Sequence, residues 1–346
     1  MASTSADIAY AADWWDDLTL GKDIWLPFPT VVEQWRWSVS RLRILTSELA
    51  ARLEALPGQD YCIALAGSFA RMEACEASDL DFMVISREPL AAPDAKQIVE
   101  AVRQLATERD IALPNPDGAF SLHAVETYER LMDRVGSRDD TMEWLTQRML
   151  LLMEARPIHN AGVFRDALRH IVATYLEEVT GGPHKDPVFL LNDAIRYFRT
   201  VCVNYQHKAW AEGDKWCLRN VKLRHSRVII YAALVLTILN ASQITDKHAY
   251  LLQALDLTPL QRIVRVYVDA DDTGYRRILS AYDAFLRRVS DVETRGALQV
   301  DYSDRYMSSV YRDMRVSAMA ITAELLRFVM AQRERWGETI LEYLLF

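Results

Sequence analysis

The spacing of apolar residues in the first part of the chain predicts alternating helices and strands. In residues 30–56 apolar side chains recur every three or four positions, as in an amphipathic helix, and Pro57-Gly58 ends that pattern. A second amphipathic helix and three short apolar runs typical of strands follow. The strands are predicted at residues 61–66, 80–85 and 119–125, and the helix at 93–109. This order indicates a compact unit with a small mixed sheet and flanking helices.

After about residue 138 the pattern becomes almost wholly helical. The predicted segments are 139–155, 161–179, 187–211, 217–240, 246–254, 258–268, 272–290 and 305–344. The longest apolar stretch, Val228 to Leu239, is far shorter than the roughly 20 residues of a membrane span, which predicts a buried helix. We therefore expect an α+β protein in which residues 1–138 carry N-terminal helices and the sheet, and residues 139–346 form an all-α substrate-binding domain.

Composition and charge narrow the class of protein. The chain is 51% hydrophobic and 25% charged, as soluble globular proteins are. Its net charge of −8 argues against generic DNA binding, although a local basic groove could still bind RNA. The four cysteines are widely spaced without a CxxC pair, which indicates a reducing compartment and no zinc site. No signal-peptide pattern is present, so we expect a cytoplasmic protein without a membrane partner.

One short segment carries the candidate chemistry. Gly67-Ser68 closes a predicted strand, and Asp79 and Asp81 open the next one after a polar loop. A glycine lets a phosphate approach the backbone, where the following amides and the Ser68 hydroxyl can donate to its oxygens. Two acids spaced two apart in an extended segment point to the same face, where their repulsion favours a bound cation. Mg²⁺, with Mn²⁺ as the alternative, suits carboxylates that share it with phosphate oxygens.

Each part of this segment also has an ordinary structural explanation. A lone Gly-Ser or a lone Asp-x-Asp is usually a turn, but few structural reasons place two acids at the mouth of a buried strand. Within the loop, Arg71 and Glu73 could orient the nucleotide or could simply form a local ion pair. Both interpretations of Arg71 stay open.

The combination of Gly-Ser, Arg-x-Glu and Ser-Asp-Leu-Asp over residues 67–81 resembles a known signature. It is similar to that of the DNA polymerase β-like nucleotidyltransferase superfamily, in the bacterial branch of protein-PII uridylyltransferases and minimal nucleotidyltransferases. The resemblance is confined to this segment. It implies a nucleotidyltransferase fold in which Gly67 and Ser68 bind the triphosphate and Asp79 and Asp81 are the catalytic, Mg²⁺-binding carboxylates.

The chain departs from that family in one respect. Many members carry a third carboxylate on the strand after the intervening helix, where it helps to activate the acceptor hydroxyl. No acid lies within residues 119–125. Asp117 just before that strand or Glu126 just after it could substitute, and His123 could act as the base instead. The departure leaves open a reduced or altered activity.

A second, weaker pattern lies in the helical part. On a regular helix Arg219, Lys222 and Ser226 share one face of a basic segment, which would suit triphosphate oxygens or an anionic acceptor. We expect Lys222 to contact the nucleotide; the alternative is a solvated basic face.

These patterns lead to one main functional hypothesis and two alternatives. The main one is a magnesium-dependent transferase that moves a nucleoside monophosphate from a nucleoside triphosphate to a hydroxyl group and releases pyrophosphate. The acceptor, whether a protein, a small molecule or RNA, stays open. The alternatives are a regulatory module that binds nucleotide without turnover and a toxin-like nucleotidyltransferase.

Overall fold

The chain folds as two compact units with an α+β architecture. The computed structural model describes residues 20–54, 56, 60–114, 125–179, 185–211, 215–337 and 342–344. The first unit comprises Met1–Lys22 and Val32–Thr174, and the second comprises Asp23–Val31 and Tyr175–Phe346. A small mixed four-stranded sheet with helices belongs to the first unit and the second is largely helical, which confirms the coarse prediction.

Helices and strands alternate in the first half of the chain. In order, the elements are α1 (Lys22–Trp25), α2 (Pro29–Leu53), β1 (Tyr61–Leu65), α3 (Gly67–Ala70), β2 (Phe82–Ser86), α4 (Ala92–Glu108), β3 (Val125–Thr127), α5 (Tyr128–Met132), α6 (Met142–Met153), β4 (Arg156–His159) and α7 (Ala161–Ala173).

The sheet has the strand order β3-β2-β1-β4. Strand β1 is antiparallel to both of its neighbours, and β3 is parallel to β2. The end of β1 and the beginnings of β2 and β4 therefore meet at one end of the sheet, since Leu65 pairs with both Phe82 and Arg156. Strand β3 begins two residues further along, where Val125 pairs with Val84. We call the end of the sheet at Leu65, Phe82 and Arg156 the site edge.

Both faces of β1 and β2 are covered by helices. Tyr61, Ile63, Leu65, Phe82 and Val84 share one core with apolar residues of α2 and α4. These positions alternate along the strands, as expected when one face packs on a core. Helix α7 packs against β1 and β2, and its residues are not part of that core, which places it on the opposite face.

The fourth strand has no counterpart in the predicted elements. Pro157 interrupts the strand pattern of the sequence, but β4 lies at the edge of the sheet, where a proline need not donate to the ladder. The division drawn after residue 138 marks the end of the predicted strands, whereas the first unit runs on to Thr174 because β4 adds to the sheet. Of the strand predicted at 119–125, only Val125 lies within the described residues, and it begins β3.

The second unit is built from helices that match the predicted segments closely. They are the π-helix π1 (Thr174–Val179, which begins in the first unit), α8 (Val188–Ala211), α9 (Trp216–Lys222), the π-helix π2 (Leu223–Arg227), α10 (Val228–Ala241), α11 (Lys247–Leu255), α12 (Pro259–Asp269), α13 (Tyr275–Ser290), α14 (Val292–Ala297), a 3₁₀ turn (Tyr302–Asp304), α15 (Ser309–Ala331) and α16 (Arg333–Trp336).

Helix α10 is the most apolar of these elements and lies in the interior, as predicted. Ile229, Ile230 and all residues from Ala232 to Ala241 are buried. The helix packs against α12, while α13 packs against α15. Among the described helices, none combines the length and the apolar character needed to cross a bilayer.

Candidate active site

Gly67 lies directly against the carboxylate of Asp81. The Ala66 N–H donates to the Asp81 carbonyl at 2.9 Å, which continues the β1–β2 pairing beyond both strands. At the next residue the chain turns, and Gly67 has φ +69°, in the left-handed region that favours glycine. A Cβ at Gly67 would collide with Asp81 Oδ2 and lie 3.3 Å from Asp81 Cγ. The backbone conformation thus favours glycine here, and any Cβ would displace the Asp81 carboxylate.

The two predicted carboxylates lie side by side at the site edge. Asp79 is exposed, Asp81 is half-buried, and Leu80 between them is buried. The Leu80 N–H donates to the Ala112 carbonyl at 2.8 Å, so this segment already has an extended conformation before β2 begins. Alternation then directs Asp79 and Asp81 to one face and Leu80 to the other. This arrangement places Asp79 and Asp81 on one face, with Gly67 against Asp81.

Arg71 is buried between two carboxylates. Its Nε lies 2.8 Å from Glu73 Oε2, and its Nη1 pairs with Glu154 Oε2. All three side chains are less than a tenth exposed. The Arg71–Glu73 pair is the local ion pair that the sequence suggested, and Glu154 extends it to the residues just before β4. A contact between Arg71 and a nucleotide stays a prediction.

Hydrogen bonds fix the loop between Ser68 and Asp79. The Glu73 N–H donates to the Ser68 carbonyl at 2.9 Å, and the Ala74 N–H donates to Ser38 Oγ of α2 at 3.0 Å. Further along, the Cys75 N–H donates to Ser78 Oγ at 3.0 Å. These hydrogen bonds within the protein support the loop, as the surroundings of a preorganised binding site do.

Glu126 is too far along the sheet to complete the carboxylate pair. In the parallel β2–β3 register it lies beside Ile85, four residues beyond Asp81. At about 3.3 Å per residue this separates their backbones by roughly 13 Å. Burial raises the pKa of Glu126, and the Arg130 guanidinium lies 3.5 Å from its carboxylate. The other candidates for the third role, Asp117 and His123, lie outside the described residues.

The residues present fit a divalent ion that is shared with a substrate. Within the described part of the chain, no three His, Cys, Asp or Glu side chains come together in a way that could hold a metal by themselves. Asp79 and Asp81 supply two carboxylates on one face. Mg²⁺ is commonly bound by one or two carboxylates and takes its remaining ligands from phosphate oxygens and water.

The predicted basic face of Arg219, Lys222 and Ser226 in the second unit differs from the structure at Ser226. Arg219 and Lys222 are half-buried in the last turn of α9, but Ser226 lies in π2, where it is buried and accepts a hydrogen bond from the Tyr282 hydroxyl at 3.2 Å. A π-turn adds a residue to the helical turn and rotates the following side chains, so the face predicted for a regular α-helix is not kept. The role of Lys222 in nucleotide binding stays a prediction.

Two residues that support the site, Ser38 and Glu154, were not predicted from the sequence. Ser38 gives no sequence signal, since a serine inside an amphipathic helix is unremarkable. Glu154 gives a weak one, because Glu154 and Arg156 are charged residues at the end of a long apolar run. No protein-family model and no curated protein matches this chain.

Proposed function

We propose that the first unit is a nucleotidyltransferase-type domain that binds a nucleoside triphosphate with Mg²⁺ at the site edge. The observation that carries the proposal is the contact between Gly67 and the Asp81 carboxylate, with Asp79 on the same face. A glycine that leaves the backbone bare beside a pair of acids suits a phosphate chain and a cation bound together. The small mixed sheet agrees with the nucleotidyltransferase fold that the motif implies.

The proposed reaction is transfer of a nucleoside monophosphate to a hydroxyl group. The acceptor oxygen forms a bond to the α-phosphorus, the bond from that phosphorus to the bridging oxygen breaks, and pyrophosphate leaves. Asp79 and Asp81 would hold the ion, which supplies charge neutralisation of the triphosphate. Ser68 would donate its hydroxyl to a phosphate oxygen, and the Arg71–Glu73–Glu154 ion pairs keep the loop in place. The acceptor proton passes to a base outside this carboxylate pair.

The acceptor and the cellular location belong to the same proposal. The net charge of −8 makes a protein or a small molecule a better acceptor than an RNA end. The four cysteines are free, which fits the reducing conditions of the cytoplasm.

Label transfer from each α-labelled nucleoside triphosphate tests this function. The protein is incubated with Mg²⁺, the nucleotide and a cell lysate, and labelled protein, RNA and small molecules are then separated. We expect transfer by the unchanged protein and at least a hundredfold loss in Asp79→Asn and Asp81→Asn, because each removes one carboxylate of the pair. Glu76→Gln is the matched control, since Glu76 is an exposed acid of the same loop. Transfer that persists in Asp81→Asn would sink the assignment.

A second candidate function is nucleotide binding without turnover. It is motivated by the absence of a third metal-binding side chain beside Asp79 and Asp81 among the described residues. Calorimetric titration with a nucleoside triphosphate and Mg²⁺ separates the two functions. Tight binding that depends on Asp81, together with no release of pyrophosphate over hours, would favour the regulatory module.

A further inference from the structure

Arginine and tyrosine side chains of the second unit come together between the 3₁₀ turn and α15. The Arg305 guanidinium lies 4.0 Å from the ring centroid of Tyr302 and 4.6 Å from that of Tyr306. Arg315 lies 5.3 Å from the Tyr306 centroid, and Arg312 Nη1 donates to the Tyr306 carbonyl at 2.7 Å. We call this surface the arginine patch and define it by six residues, which are Arg224, Arg305, Arg312, Arg315, Tyr302 and Tyr306.

Arg224 of π2 joins the patch through Asn220. Its Nε donates to Asn220 Oδ1 at 3.0 Å, and the same oxygen accepts a hydrogen bond from the Tyr311 hydroxyl, also at 3.0 Å. The Tyr311 and Tyr306 ring centroids are 6.3 Å apart. Three separate segments, which are π2, the residues after the 3₁₀ turn and α15, therefore contribute to one surface.

The four arginines of the patch make no ion pair with a carboxylate among the residues that the structure describes. Asp313, on the same helix as two of them, lies 4.0 Å from Arg288 instead. A hydrogen bond from Arg305 and the charge of Arg315 hold the pKa of Tyr306 below its ordinary value. In a chain with a net charge of −8, the patch is thus a local region of positive potential.

The patch is accessible to a large ligand, and contacts within the protein orient its side chains. Tyr306 is 48% exposed, Arg224 and Arg312 are exposed, and Arg305 is half-buried. A guanidinium that is stacked on a ring or bonded to one carbonyl keeps further N–H groups for phosphate oxygens. Tyrosine rings and guanidinium planes also stack on unpaired bases. The patch therefore suits a strand that presents phosphates and unpaired bases together.

We propose that the arginine patch binds single-stranded RNA. The guanidinium groups contact successive phosphates, and Arg305 and Tyr306 contact bases. A duplex would offer this surface its phosphates but not the faces of its bases, which are stacked on one another. The proposal concerns binding by the second unit and not the choice of nucleotidyl acceptor, so it does not depend on the nucleotidyltransferase function.

A uridine decamer and an abasic strand with the same backbone provide a matched pair of probes, because only the first has bases. Fluorescence anisotropy of the full chain at low salt should show saturable binding of the uridine decamer and at least tenfold weaker binding of the abasic strand. Four phosphate contacts also predict a salt dependence. The logarithm of the binding constant should fall with the logarithm of the salt concentration with a slope of about −3.

Arg312→Gln tests the patch with little risk to the fold, because Arg312 is exposed and its contact with the Tyr306 carbonyl lies at the surface. It should weaken binding of the uridine decamer and change the slope to about −2. Arg276→Gln is the matched control, since Arg276 also lies on a tyrosine ring, at 5.9 Å from the Tyr275 centroid, but outside the patch. It should keep both the affinity and the slope.

Tyr306→Ala separates the contacts with bases from those with phosphates. Because the ring of Tyr306 is proposed to stack on a base, its loss should weaken binding of the uridine decamer more than binding of the abasic strand. Circular dichroism checks that each variant is folded. Three results would each overturn the proposal. They are no saturable binding of the uridine decamer at low salt, equal affinity for the two strands in the unchanged protein, and unaltered binding in Arg312→Gln.

Discussion

Gly67 and Gly136 share a left-handed backbone conformation but differ in their surroundings. Their φ angles are +69° and +76°, yet only Gly67 has a side chain against it, and a Cβ at Gly136 would meet nothing within 4 Å. An alanine at either position carries left-handed strain of about 1–2 kcal/mol. At Gly67 it would also displace the Asp81 carboxylate.

We therefore expect both alanine variants to be destabilised, but only one to lose its ligand. Gly67→Ala should weaken binding of the Mg²⁺–nucleotide complex at least tenfold, and Gly136→Ala should leave it unchanged. Denaturant unfolding measures the stability of each variant, and calorimetric titration measures the affinity. Equal affinities in the two variants would show that the contact between Gly67 and Asp81 is not part of a binding site.

Glu154 and Glu108 both pair with an arginine, but in different surroundings. Glu154 is 1% exposed and pairs with the buried Arg71, whereas Glu108 is 56% exposed and pairs with Arg52 on the surface. Truncation of Glu154 removes a buried, charge-assisted hydrogen bond, while Glu73 still balances the charge of Arg71. A hydrogen bond to a charged group contributes about 1.5–3 kcal/mol. An exposed pair contributes about 0–1 kcal/mol.

Glu154→Ala should therefore lower the free energy of unfolding by about 1.5–3 kcal/mol. Glu108→Ala should lower it by much less, because water replaces the lost partner at the surface. Urea denaturation followed by circular dichroism compares the two. A similar small loss in both variants would mean that the Arg71–Glu154 pair does not stabilise the fold.

His225 links stability to pH. Its pKa is lowered to about 4 by burial, from an ordinary value of 6.5, so above pH 6.5 the ring is neutral in both the folded and the unfolded state. Between pH 6.5 and 4 only the unfolded chain binds the proton, and stability falls by up to about 1.4 kcal/mol per pH unit. His225→Phe removes this titration.

The stability of His225→Phe relative to the unchanged protein should therefore rise as the pH falls from 6.5 to 4. The total change is up to about 3 kcal/mol. Measuring the difference between the two proteins cancels the contribution of His159, whose pKa burial also lowers to about 4. A difference that is constant across this pH range would contradict the buried, neutral state of His225.

At the scale of elements, the sequence predicts the helices and strands in which apolar residues occur at a regular spacing. Strands β1 and β2 are continuous apolar runs because both of their faces are buried, and α2 and α4 show helical periodicity because one side of each packs on the sheet. Strand β4 is short, contains Pro157 and lies at an edge, so it has no such pattern. Its position depends on pairing with β1, which is a long-range contact.

The part of the candidate site that comes from one short segment could be predicted from the sequence. Gly67, Ser68, Asp79 and Asp81 are near one another in the sequence, and the local pattern contains the information that brings them together. The partners of Arg71 and of the Ala74 N–H were not all predictable, because Glu154 and Ser38 come from distant elements. The predicted position of Ser226 was wrong for a different reason. It was based on regular α-helical periodicity, which does not indicate where a π-turn occurs.

At the scale of the whole molecule, the two units provide an internal comparison for ligand binding. A ligand that binds only the folded first unit stabilises it by about 2.7 kcal/mol at a hundred times its dissociation constant. Mg²⁺ with nucleotide should therefore slow amide hydrogen exchange in β1 and β2. The buried helix α10 of the second unit serves as the reference within the same sample.

The Asp81→Asn variant completes that experiment. It should show no added protection in β1 or β2 at the same ligand concentration, because one carboxylate of the pair is missing. Equal protection of both units in the unchanged protein, or protection that persists in Asp81→Asn, would contradict a site at the sheet edge.

The order in which the strands appear in the chain also has a consequence during protein synthesis. Strand β4 begins at Arg156, well after β2 ends at Ser86, and a ribosome needs roughly 4–14 s for the roughly 70 residues between them. Throughout that interval one side of β1, the apolar run from Tyr61 to Leu65, has no neighbouring strand with which to pair. An open apolar edge favours pairing with other chains. The nascent protein thus keeps this edge open until β4 has been made, and a circular permutant that places β4 ahead of β1 would remove this interval.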